Sequence, residues 1–168
     1  MRNVVFAIAA IAACGPSASE VKTARTAIYR SDPQTILELA MTATRETYKI
    51  ADVNREDSTF ITEARWYSPE GDLESPGAGG FVQLADRSVL VSFIVQVAPS
   101  ETHGDFAVVV IPKTFQDLKG SPKPRELAPD DPNVPPWVHG RADALVLAIY
   151  QSAKTYVVAP PGQSAPGT

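Results

Sequence analysis

The chain has 168 residues, 44% of them hydrophobic and 20% charged. That content suits one packed domain with flanking segments and is too apolar for wholesale disorder. The net charge of -4 lacks the basic balance of nucleic-acid binders, and the single cysteine excludes internal disulfides and multi-cysteine zinc sites.

The N-terminus opens on Arg2 and then runs through "VVFAIAAIAA". A spanning helix needs roughly 20 apolar residues, so this run is too short to be an anchor by itself and reads as the core of a secretory signal. It is apolar all round, unlike an amphipathic core helix, and it stops at Cys14-Gly15-Pro16. The stretch Ile11-Ala12-Ala13-Cys14 resembles the lipobox of bacterial lipoprotein signal peptides, with Ile11 where leucine is usual. The resemblance implies cleavage between Ala13 and Cys14, a diacylglyceryl group on the Cys14 thiol, and acylation of the new amino terminus. One acyl chain holds a protein only marginally, at about 0.8 kcal/mol per buried methylene, whereas two or three hold it durably. Gly15, not Asp, follows the cysteine. By the same resemblance this implies the outer membrane rather than the inner one in a Gram-negative host. Residues 1–13 are thus expected as a signal peptide, and 14–30 as the lipidated cysteine and a tether. Within that tether "GPSASE" is small and polar, while Val21, Ala24 and Ile28 sit at near-helical spacing, so part of it can dock.

A helix is predicted from Ser31-Asp32-Pro33, a capping residue followed by proline at the first turn. Ile36, Leu37, Ala40, Met41, Thr44 and Tyr48 share one face, as a core stripe does. "YKIADV" and "TFITEARWYS" read as strands around the polar turn "NREDS". Unbroken alternation puts Phe60, Thr62, Ala64 and Trp66 on one face and Ile61, Glu63, Arg65 and Tyr67 on the other. Residues 69–81 form a Gly- and Pro-rich loop. "SVLVSFIVQV" is a strand with a wholly apolar face of Val89, Val91, Phe93, Val95 and Val97, and with Ser92 and Gln96 marking the other face. "FAVVVIPKTF" follows, Pro112 pointing to an edge or a bulge. Residues 117–136 are irregular, and "WVHGRADALVLAIYQSAKTY" closes the chain as a helix. Val138, Ala142, Leu145, Ile149, Ala153 and Tyr156 form its stripe. Residues 158–168 read as a disordered tail.

The order α-β-β-β-β-α implies an α+β fold. It is expected as a two-layer sandwich over 31–157, an antiparallel four-stranded meander with the N-terminal and C-terminal helices on one face. The succession of a capped helix, "YKI", a polar turn, "FITEARW", a long strand pair and a final helix is similar to the domains of BamC-type accessory lipoproteins of the outer-membrane assembly machinery. That resemblance implies an accessory role and identifies no binding residues.

No catalytic signature stands out. Asp52, Asn54, Glu56 and Glu63 fall at positions 1, 3, 5 and 12 of a calcium loop, but Asp57 occupies the glycine position and the flanks are strands, so a charged hairpin turn is expected. His139 and Asp143 lie four apart on the last helix, a spacing that suits a hydrogen-bonded pair. A metal would need further ligands, and the other histidine, His103, sits in a hairpin loop. No G-x-S-x-G elbow occurs, and "GAGG" at 77–80 lacks the G-K-[ST] of a phosphate loop. No catalytic residue, metal or cofactor is therefore expected. Arg65 and Tyr67 are the candidate contact residues, Arg and aromatics being enriched at interfaces, while Trp66 reads as core.

The sequence thus points to a lipid-anchored bacterial envelope protein. It is held in the bilayer through acylated Cys14 and works as a non-catalytic interaction module with an envelope protein partner. The alternative is a periplasmic small-ligand or lipid-binding lipoprotein with a groove between sheet and helices. An enzyme ranks last.

Overall fold

A computed structural model describes residues 17–74, 84–101 and 104–158. The signal peptide, Ala13, Cys14, the "GAGG" stretch, His103 and the tail from 159 lie outside the described residues.

The segment expected as a tether is part of the fold. Ser17 caps helix α1, Ala18–Arg25: its Oγ accepts from the Glu20 N–H at 3.3 Å, and its own N–H donates to Glu20 Oε2 at 2.9 Å. Eight residues are too few for a helix to stand alone. It docks on the closing helix, with Ala24 buried, and leads into a short strand β1, Ile28–Tyr29, whose Tyr29 is buried too. Helix α2, Pro33–Arg45, starts where the sequence places it, with Asp32 Oδ2 accepting from the Thr35 N–H at 3.0 Å. Its buried residues are Ile36, Leu37, Ala40, Met41 and Thr44. Tyr48, beyond the helix end, packs edge-on against Phe93 with ring centroids 5.1 Å apart.

Strands β2, Ile50–Asn54, and β3, Thr59–Thr62, form a hairpin. At its turn Asn54 Oδ1 accepts from the N–H groups of Glu56 and Asp57 at 3.0 and 3.1 Å. Then come β4, Arg65–Tyr67, β5, Val89–Pro99, β6, Phe106–Gln116, and β7, Arg125–Leu127. Helix α3, Pro136–Ser152, and a 3-10 turn, Lys154–Tyr156, follow.

The sheet runs β1-β6-β5-β3-β2, with β4 on β5 and β7 on β6, and these pairs are antiparallel. The antiparallel α+β reading holds, but the sheet has seven strands among the described residues, not four. Strands of two and three residues, such as β1 and β7, carry too few positions for an alternation to register in the sequence. Between them the outer side of β6 is unpaired from Val108 to Lys113, and Pro112, which has no N–H to give, falls in that stretch.

One expected strand is really two. Ile61 pairs with Ile94 and Arg65 with Val91, so residues 62–64 lie opposite only 92–93. The extra residue is a bulge, and a shift of one flips every following side chain to the other face. Thr62 Oγ1 accepts from the Phe93 N–H at 2.9 Å, filling the gap in the ladder.

The core lies between α2, α3 and one sheet face. Val89, Val91, Phe93, Val95 and Val97 meet Phe60, Tyr67 and the buried stripes of the two helices. Val138, Ala142, Leu145, Ile149 and Ala153 are buried as predicted. Tyr156 is not: α3 ends at Ser152, and the 3-10 turn leaves the ring 36% exposed.

Candidate interaction surface

The register defines what lies on the other face of the sheet. Trp66 pairs with Leu90, and Leu90 with Phe115. Ile61 pairs with Ile94, and Ile94 with Ile111. Gln96 stands between Thr59 and Val109. Paired residues point to the same side, so three rows of mostly apolar side chains stand opposite the helices. None of them belongs to the core cluster, and Val109 borders a surface depression shared with Arg25 of α1 and His139 of α3. Val109 is 41% and Ile111 37% exposed, while Ile61, Trp66, Leu90, Ile94 and Phe115 are half-buried. The polar pair Ser92–Lys113 stands between the first two rows, and an open apolar face of this kind is a candidate contact surface. Its charged residues are few. Lys113 lies with its Nζ 5.6 Å from the Phe115 ring centroid, Asp52 pairs with Ile61, and Glu126 pairs with Phe115.

The two residues expected to make contacts stand on the opposite, helix-covered side. Tyr67 is 2% exposed, its ring centroid 5.2 Å from that of Trp137. The Arg141 guanidinium stacks over Tyr67 at 4.5 Å and over Trp137 at 5.3 Å, and donates to the Gly71 carbonyl at 2.8 Å. Trp137 Nε1 donates to the Pro69 carbonyl at 2.9 Å, fastening the loop after β4 to the start of α3. Arg65 is half-buried over the Tyr48 ring at 5.6 Å and donates to the Thr47 carbonyl at 3.3 Å. Tyr67 is therefore a core residue, and Trp66, read from sequence as core, stands on the bare face beside Leu90 and Phe115. The bulge at 62–64 causes the exchange. Its one local signal is polar Glu63 and small Ala64 in the middle of an apolar strand.

The remaining candidates do not assemble into a reactive centre. Asp143 accepts from Arg25 Nε at 2.7 Å. His139 lines a surface depression of about 320 Å³ with Arg25, Val108, Val110, Ala142 and Val146, and neither a carboxylate nor a hydroxyl nucleophile lines it. Asn54 is engaged in its own turn, and Glu63 lies 3.9 Å from Lys49. Among the described residues no three potential metal ligands cluster.

The shifted acidities report packing. Arg30 holds Asp105 below the usual carboxylate range through hydrogen bonds of 2.9 and 3.0 Å. Burial, then the neighbouring Tyr150, pushes Tyr29 up to about 12. Burial also raises Tyr48, against the opposing pull of Arg141. No family model matches the chain, and no curated protein matches its sequence.

Proposed function

We propose that this protein is a non-catalytic interaction module of the bacterial envelope, tethered to the outer membrane through acylated Cys14 and recognising a protein partner with the bare face of its sheet. The observation that carries the reading is the row pair Trp66–Leu90–Phe115 and Ile61–Ile94–Ile111, left open opposite α2 and α3. Large aromatic and aliphatic side chains on a rigid sheet lose little freedom on contact, which suits them as anchors. The layer between sheet and helices is filled by Phe60, Phe93, Ile36, Leu37 and Ile149, all essentially inaccessible, which favours the surface over an internal groove as the working part. Anchoring by two or three acyl chains would keep such a surface near membrane-bound partners.

The test is recovery of the native protein from gently solubilised membranes, with and without crosslinking. A stoichiometric protein partner that is lost on Trp66→Ala supports the module. A bound small molecule or lipid with no protein partner overturns it. Mass spectrometry of the N-terminal peptide checks the anchor: an acylated Cys14 without residues 1–13 is expected, and an intact Met1 defeats it.

A further inference from the structure

We infer that the bare sheet face is a twofold interface and that its occupant is a second copy of this chain. The inference rests on the reading of that face as a contact surface and names the partner.

Two features of the face point to self-association. The first is area. The sheet is five lanes wide, β2, β3 with β4, β5, β6, and β1 with β7. At about 4.8 Å per lane and about 3.4 Å per residue over roughly eight residues of β5, the face measures about 24 Å by 27 Å, so two copies would bury about 1,300 Å² together. That exceeds the roughly 1,000–1,200 Å² at which specific interfaces begin, and stacked sheets pack well at about 10 Å separation.

The second is the arrangement of charge. Acidic Asp52 lies on the β2 side of the central strand β5, and basic Lys113 on the β6 side. Lys113 has no ion-pair partner among the described residues beyond its contact with the Phe115 ring. A twofold axis parallel to β5 exchanges the two sides. It carries the Asp52 edge of each copy over the Lys113 side of the other, and the attraction is made twice, as in any isologous contact. The axis runs over Ile94 on the central strand, so each Ile94 faces its own counterpart. The half-buried apolar rows then meet each other, and Glu126 remains at the rim.

The experiment uses the full chain in its membrane, with Cys14 retained. Because facing Cα atoms about 10 Å apart are beyond disulfide reach, Ile94→Cys is treated with a short bismaleimide crosslinker beside the wild type, whose Cys14 is the control, and beside Gln151→Cys on the exposed side of α3. A maleimide-crosslinked homodimer from Ile94→Cys alone is expected. Lys113→Glu should weaken dimerisation about tenfold by sedimentation in detergent, and Asp52→Lys with Lys113→Glu should restore it to within about threefold. Both positions are solvent-exposed, so neither variant threatens the fold. No homodimer from Ile94→Cys, or equal weakening in the single and the reciprocal variant, overturns the inference. If a photo-crosslinker at position 94 instead captures a different envelope protein, the second copy is wrong and the interaction-module reading survives. If it captures nothing, both fall.

Discussion

Trp66 and Tyr67 are neighbours in the chain and belong to opposite sides of the molecule. Trp66 stands in a row with Leu90 and Phe115 on the bare face, whereas Tyr67 is 2% exposed, its ring tilted against Trp137 and covered by Arg141.

Their alanine variants should therefore separate stability from recognition. Tyr67→Ala removes a fully buried ring and both of its stacking contacts, and is expected to cost about 3–5 kcal/mol in urea unfolding. Trp66→Ala removes a half-buried ring, costs no more than about 1.5 kcal/mol, and loses the partner. Equal destabilisation by the two would contradict the assignment of faces.

Gly71 and Gly140 call for opposite outcomes on substitution by alanine. Gly71 has φ +101°, and a Cβ there would stand 3.1 Å from the Trp137 ring. Gly71→Ala is expected to destabilise by about 1–3 kcal/mol, from backbone strain and from the contact. Gly140 lies within α3 with open space around it, so Gly140→Ala should stabilise by about 0.5–1 kcal/mol. Thermal melts of the two variants beside the wild type check the pair.

Arg30 fastens the end of β1 to Asp105 at the start of β6. Because Arg30 lowers the Asp105 pKa in the folded state, the stabilisation is present above the ordinary carboxylate pKa of about 3.9 and is lost as pH falls through the lower, folded value. Asp105→Asn should be less stable than the wild type at neutral pH, and the difference should close in strong acid. A difference that persists unchanged to low pH would show that charge is not its source.

Tyr29 carries the opposite sign. Its folded pKa, about 12, lies above the ordinary value of 10.0. The unfolded chain therefore loses this proton first, and stability falls as pH rises from about 10 towards 12. In a spectrophotometric titration Tyr29 should ionise late, together with alkaline unfolding. Tyr29→Phe should lack that late transition. Ionisation of Tyr29 near its ordinary value of 10.0 would mean that its ring is reachable by solvent.

Some of this architecture could be read from the chain alone because the forces that set it are local. Asp32-Pro33 and the spacing of Ile36, Leu37, Ala40, Met41 and Thr44 specify α2 through a cap and a one-sided apolar stripe, and the structure places each of them accordingly. The alternation from Val89 to Val97 likewise marks which face of β5 is buried, since a strand has a period of two wherever it pairs. Tertiary structure decided the rest. Whether residues 18–29 are tether or fold depends on α3 and β6 offering surfaces more than 70 residues away. Which of Trp66 and Tyr67 points outward depends on where β5 accepts the chain on either side of 62–64, and a bulge of one residue inverts a periodic reading without altering the residues that carry it. Periodicity is a property of a segment. Register is a property of a pair, and the face this protein leaves bare is set by register.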